Sequence, residues 1–190
     1  MRSSAQNITP PLSPMPTGAA PSGCTLYSPD GQQGFNAGVE SPSWQFILKE
    51  GFDYDHFANS AWLNPILTQG CEESTKVFKH ILAACEIWIT RLGGVSLPKM
   101  PDMEISAEVL ASLNSRWLAA VDRIAYDECI SYRNTLGEAY TRSFGDIARH
   151  VINHGTYHRG QIRQIFGHRG FDFPDTDFIG FSFLRDEGEP

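Results

Sequence analysis

The chain has 190 residues, with 22 acidic against 15 basic side chains, a net charge of −7 and 12 prolines. That balance lacks the basic footprint of a nucleic-acid binder. No apolar run approaches the roughly 18 residues of a membrane span, so neither nucleic acid nor membrane is an expected partner.

Seven of the 12 prolines and five of the 17 glycines precede residue 43, with Arg2, Asp30 and Glu40 the sole charges there. Such composition cannot offset the cost of ordering a backbone, so residues 1–43 read as a proline/glycine/serine-rich disordered leader. About 148 residues remain, the usual size of one domain, assigned to 44–190. One arginine and no apolar h-region argue against a secretory signal. Cys24, Cys71, Cys85 and Cys129 form no C-x-x-C pair. They read as reduced thiols, and the location as cytoplasmic.

A first helix is expected from about Phe52 to Leu63, with an earlier start near Trp44 weakened by Gly51 and an end or kink at Pro65. The second runs from Ser74 to Leu92, with Val77, Ile81, Ala84, Cys85, Trp88 and Leu92 at helical spacing. The third covers Ser106 to Ala125, with Leu110, Leu113, Trp117 and Val121 on one face. CISYRNTLGEAYTRSF then breaks helical period and reads as extended chain or a short hairpin turning near Asn134 to Gly137. Ser143-Phe144-Gly145-Asp146 is a capping box opening a fourth helix that stops at Gly170. The end, Phe171 to Pro190, holds six carboxylates against Arg185 alone and reads as solvated. Four helices without a strong strand period point to an all-α fold, an antiparallel four-helix bundle with a short extended segment before the fourth helix.

Four of the six histidines lie on the fourth helix. At about 100° per residue from Ile147, His154 falls near 340° and His158 near 20°, within the core-facing stripe, while His150 and His168 lie at its edge. Burying two imidazoles one turn apart is costly unless their nitrogens find partners. A divalent metal is one such partner, since i, i+4 histidines aim at a shared point. Hydrogen bonds to Tyr, Asp or water explain the pair equally well. A third ligand would come from another helix, with His80 and His56 both candidates. H-G-T-Y-H lacks the glutamate of H-E-x-x-H, and no Glu-x-x-His occurs, so zincin and carboxylate di-iron sites do not fit. Three neutral imidazoles would hold zinc, nickel or iron(II) with a position open.

HVINHGTYHRGQI (150–162) resembles the signature of the DinB/YfiT-like metalloenzyme superfamily, named after a damage-inducible protein. YDHFANSAWL (54–63) is similar to its first-helix motif, and KHILAACEIWITRL (79–92) to its second helix with a lone histidine. SYRNTLGEAYTRSF and TDFIGFSFL resemble its extended segment and its ending, so the likeness covers roughly residues 50–185. It implies a four-helix bundle with a three-histidine metal site. Carried over, the ligands are His80, His154 and His158, which promotes His80 and demotes His56 and His150.

On the same wheel Gln161 shares the ligands' face, placed to bond a metal-bound water or a ligand ring. Asn59 is assigned a similar role, against the simpler one of a helix-packing amide. Arg159 turns away from that face and reads as an ion-pair partner for a carboxylate; Tyr157 reads as packing or surface. The resemblance implies a metal-dependent enzyme with a small-molecule substrate. A slight lean goes to transfer of a low-molecular-weight thiol, because no carboxylate is placed by motif beside the histidines. Metal-dependent hydrolysis and a non-catalytic metal-binding stress-response protein are the alternatives. A homodimer follows from the resemblance alone.

Overall fold

The computed structural model describes residues 43–97 and 99–186. The expected leader therefore lies, up to residue 42, outside the described residues, as do the last four positions. Described residues form five helices and one hairpin: α1 (Trp44–Gln69), α2 (Glu72–Leu92), α3 (Ala107–Arg123), β1 (Cys129–Arg133), β2 (Ala139–Ser143), α4 (Phe144–Arg169) and α5 (Phe178–Asp186).

Helix α1 is twice the length read from its sequence, running 26 residues through both Gly51 and Pro65. Ser43 caps it, its Oγ accepting from the Phe46 amide at 3.2 Å. The helix survives its two weak points because its stripe is continuous: Leu48, Phe52, Asp55, Asn59, Trp62 and Ile66 are all buried. Tertiary burial on this scale overrides local propensity. Gly51 also has a packing reason, since a Cβ there would lie 2.7 Å from Ile152 Cδ1 of α4.

The other helices follow expectation closely. Ser106 Oγ caps α3 through the Val109 amide at 3.3 Å. The irregular segment is an antiparallel hairpin registering Ile130 with Arg142 and Tyr132 with Tyr140. Its turn is held by Asn134 Oδ1, which accepts from the amides of Leu136 at 2.9 Å and Glu138 at 3.0 Å. Ser143 ends β2 and caps α4, its Oγ accepting from the Asp146 amide at 3.1 Å.

Helix α2 packs mainly on α4 and α1 mainly on α3, with further contacts between α1 and α4 and between α2 and α3. The core between them holds Trp62, Phe78, Trp117, Phe144 and Phe166, all essentially sealed from solvent.

The end of the chain departs from the solvated tail expected of it. Helix α5 lies on α1, with Phe178 and Phe181 5.1 and 5.7 Å from the Tyr54 ring. The Tyr54 hydroxyl donates to the Thr176 carbonyl at 2.9 Å, and Arg185 pairs with Glu50. Counting carboxylates concealed the aromatic side chains that dock this segment. Among the described residues, no helix is long and apolar enough to cross a membrane.

Candidate metal centre

Helices α2 and α4 bring three imidazoles together. The i, i+4 spacing on α4 puts His154 and His158 on one face, and α2 sets His80 opposite. His80 Nε2 lies 3.2 Å from His154 Nε2, and His158 Nε2 lies 3.1 Å from the same atom. Among the described residues these three form the one cluster of at least three histidine, cysteine or carboxylate groups suited to a metal ion. His80 is exposed and the other two half-buried, so the cluster meets solvent on the α2 side.

Protons alone satisfy this arrangement poorly. His158 Nδ1 donates to Gln161 Oε1 at 2.7 Å, which leaves the His158 Nε2 lone pair facing inward. His154 Nε2 faces two nitrogens, and a nitrogen with one proton or one lone pair cannot make two linear hydrogen bonds. A cation accepts all three lone pairs at once. Nitrogens about 2.0–2.1 Å from one ion would span separations close to these. Burial, reinforced by the His158, His80 and His150 rings, pushes the His154 imidazole down to about 4. Burial and His158 likewise lower His80. Both rings thus favour the neutral form that ligation requires.

Gln161 reaches the cluster directly, through His158, and fixes that ring's tautomer. Asn59 sits elsewhere, in a buried polar knot behind α4. Its Nδ2 donates to Asp55 Oδ2 at 2.9 Å, and its Oδ1 accepts from Arg159 Nη1 at 3.0 Å. The same guanidinium nitrogen meets Asp55 Oδ1 at 2.5 Å. These are the contacts of a helix-packing amide. Arg159 is indeed an ion-pair partner for a carboxylate, and is buried to 3 % exposure. Gly155, one residue past His154, makes room for the pair: a Cβ there would lie 2.3 Å from Asp55 Oδ1.

His56 lines a small cavity between α1, α2 and α3, together with Asn114 and Trp117. His150 is exposed and flanks the cluster, its ring centroid 5.6 Å from that of His154. Tyr157 is 66 % exposed and lies edge-on to His158.

A model of the DinB superfamily matches residues 75–162. The chain is thus similar to the DinB superfamily over that stretch. The matched stretch contains all three clustered histidines and Gln161. No curated protein matches the chain. Asp55 and Asn59 precede the stretch matched to the DinB superfamily, and Asp55 was missed from sequence. Its signal was its position, four residues before Asn59 on an otherwise apolar stripe. Also missed was the group beside His150, formed by Trp88, Arg91 and Tyr132.

Proposed function

We propose that this DinB-like protein binds a divalent metal through His80, His154 and His158 on an antiparallel four-helix bundle, and uses it to transfer a low-molecular-weight thiol to an electrophile. The observation that carries the metal site is the convergence of three Nε2 atoms, two of them 3.2 and 3.1 Å from the third. Zinc and nickel suit an all-imidazole set, and iron(II) is also compatible. The pairing of α2 with α4 and of α1 with α3 supports the bundle.

A bound cation lowers the pKa of a thiol or a water at its open position. The chain's part is to hold three neutral rings, with Gln161 orienting one of them. The exposed side at His80 leaves an approach for substrate. Thiol chemistry is favoured over hydrolysis because no carboxylate joins the cluster, and Asp55 is already engaged by Arg159 and Asn59. Such a reaction forms a carbon–sulfur bond as the electrophile's leaving group departs with its electron pair, and the thiol proton passes to solvent. The free state of Cys71, Cys85 and Cys129 supports a reducing, cytoplasmic setting.

The test is metal analysis of protein purified without a histidine tag, for wild type and His154→Ala. We expect near-stoichiometric metal in wild type and its loss in the variant; equal content in both overturns the site. Monochlorobimane with a panel of cellular thiols then tests turnover. Metal-dependent stability without turnover across the panel would replace the enzyme with a metal-stapled binding protein.

A further inference from the structure

Two rings away from the histidine cluster, past His150 and Trp88, lies a cation with no anion. Arg91, on the last turn of α2, is 7 % exposed, and its Nε is sealed from solvent with no hydrogen-bond partner. Among the described residues, no carboxylate, carbonyl or hydroxyl meets its terminal nitrogens. The other buried guanidinium, that of Arg159, shows the usual solution, with Asp55 at 2.5 Å. What Arg91 has instead is two aromatic faces. Its Cζ stands 4.5 Å from the Trp88 ring centroid and 5.2 Å from that of Tyr132.

Cation–π contacts offset part of the cost of burying a guanidinium. They leave its Nε–H without a partner and its terminal nitrogens without a partner in the protein. Those donors lie in a plane whose fork matches a carboxylate. The position is functional ground: the Trp88 ring is 5.5 Å from His150, and His150 is 5.6 Å from His154.

We infer that Arg91, with Trp88 and Tyr132 as walls, is a subsite for a carboxylate on the substrate, placed beside the three-histidine centre. A flat monoanion would take the guanidinium fork side-on and be flanked by aromatic surface. The group to be transformed would then extend past His150 toward His154. This rests on the metal-site proposal for its meaning, but carboxylate binding itself needs no metal.

The test compares benzoate with its neutral isostere benzamide, and with inorganic phosphate, by thermal shift and calorimetry on the full chain. Wild type, metal-loaded and metal-free, and the variants Arg91→Met and Arg91→Lys are measured, with metal content recorded for each. We expect benzoate to raise the wild-type Tm and benzamide not to. Arg91→Met should lose the response while keeping its metal, and its own Tm should equal or exceed wild type, because a largely buried guanidinium without an anion has gone. Arg91→Lys keeps the charge without the fork and should bind benzoate at least tenfold more weakly. It also covers the case in which Arg91→Met does not fold. Equal responses to benzoate and benzamide, a response to phosphate alone, or an unchanged benzoate response in either variant overturns the subsite. Metal-free wild type that binds benzoate while no preparation retains metal would sink the metal site and leave this one standing.

Discussion

Gly155 shows how narrow the tolerances are around one histidine. A methyl at this position would meet Asp55 Oδ1 at 2.3 Å and Arg159 Nη1 at 2.9 Å, and neither atom belongs to a side chain free to move. Gly155→Ala should therefore destabilise by about 1–3 kcal/mol, despite alanine's better helix propensity. Gly160 is the internal control: it lies on the same helix, is exposed, and a Cβ there would meet nothing within 4 Å. Gly160→Ala should stabilise by about 0.5–1 kcal/mol. Urea unfolding of both variants checks the contrast, and equal effects would refute it. At this scale the histidines were legible because helical period places them. The Asp55 carboxylate was not, since a charge next to Tyr54 looks like surface until its burial is seen.

Between elements, the Asp55–Arg159 pair ties α1 to α4. Removing one member leaves the other buried and unpaired, which costs about 3–5 kcal/mol. Asp55→Ala is expected to lose that much in equilibrium unfolding. Asp102→Ala, which breaks the exposed pair with Lys79 at 2.8 Å, should leave the unfolding midpoint nearly unchanged. Comparable losses would show that the buried pair contributes no more than a surface one. The hairpin and the α4 cap could be read from turn and capping residues because those signals are local. The length of α1 and the docking of α5 could not, because both depend on partners far along the chain.

For the whole molecule, acid is the informative variable. Burial lowers His80, His150 and His154, the last to about 4 from an ordinary 6.5. Between those two values the unfolded chain carries more protons than the folded one, so stability rises with pH. Metal-free protein should be most stable above about pH 6.5 and lose stability steadily as pH falls toward 4. The urea midpoint, followed across that range after chelation, is expected to fall with acid, and less steeply in His154→Gln. A midpoint flat or rising on acidification would contradict the burial of these rings. Histidine spacing had singled out the two rings of α4 that the fold sets opposite His80. What composition could not supply was the pairing of buried charges, because pairing is a property of three dimensions.

Ser143 carries a consequence for how the site is aligned. It is the last residue of β2, registered against Cys129, and also the cap of α4. With no linker between strand and helix, the hairpin acts as an index pin for the helix that follows. Slipping the chain by one residue at this junction would rotate His154 and His158 by about 100° relative to α2, taking both rings out of reach of His80. The angular setting of the three imidazoles is thus fixed partly by a two-stranded ladder that touches none of them.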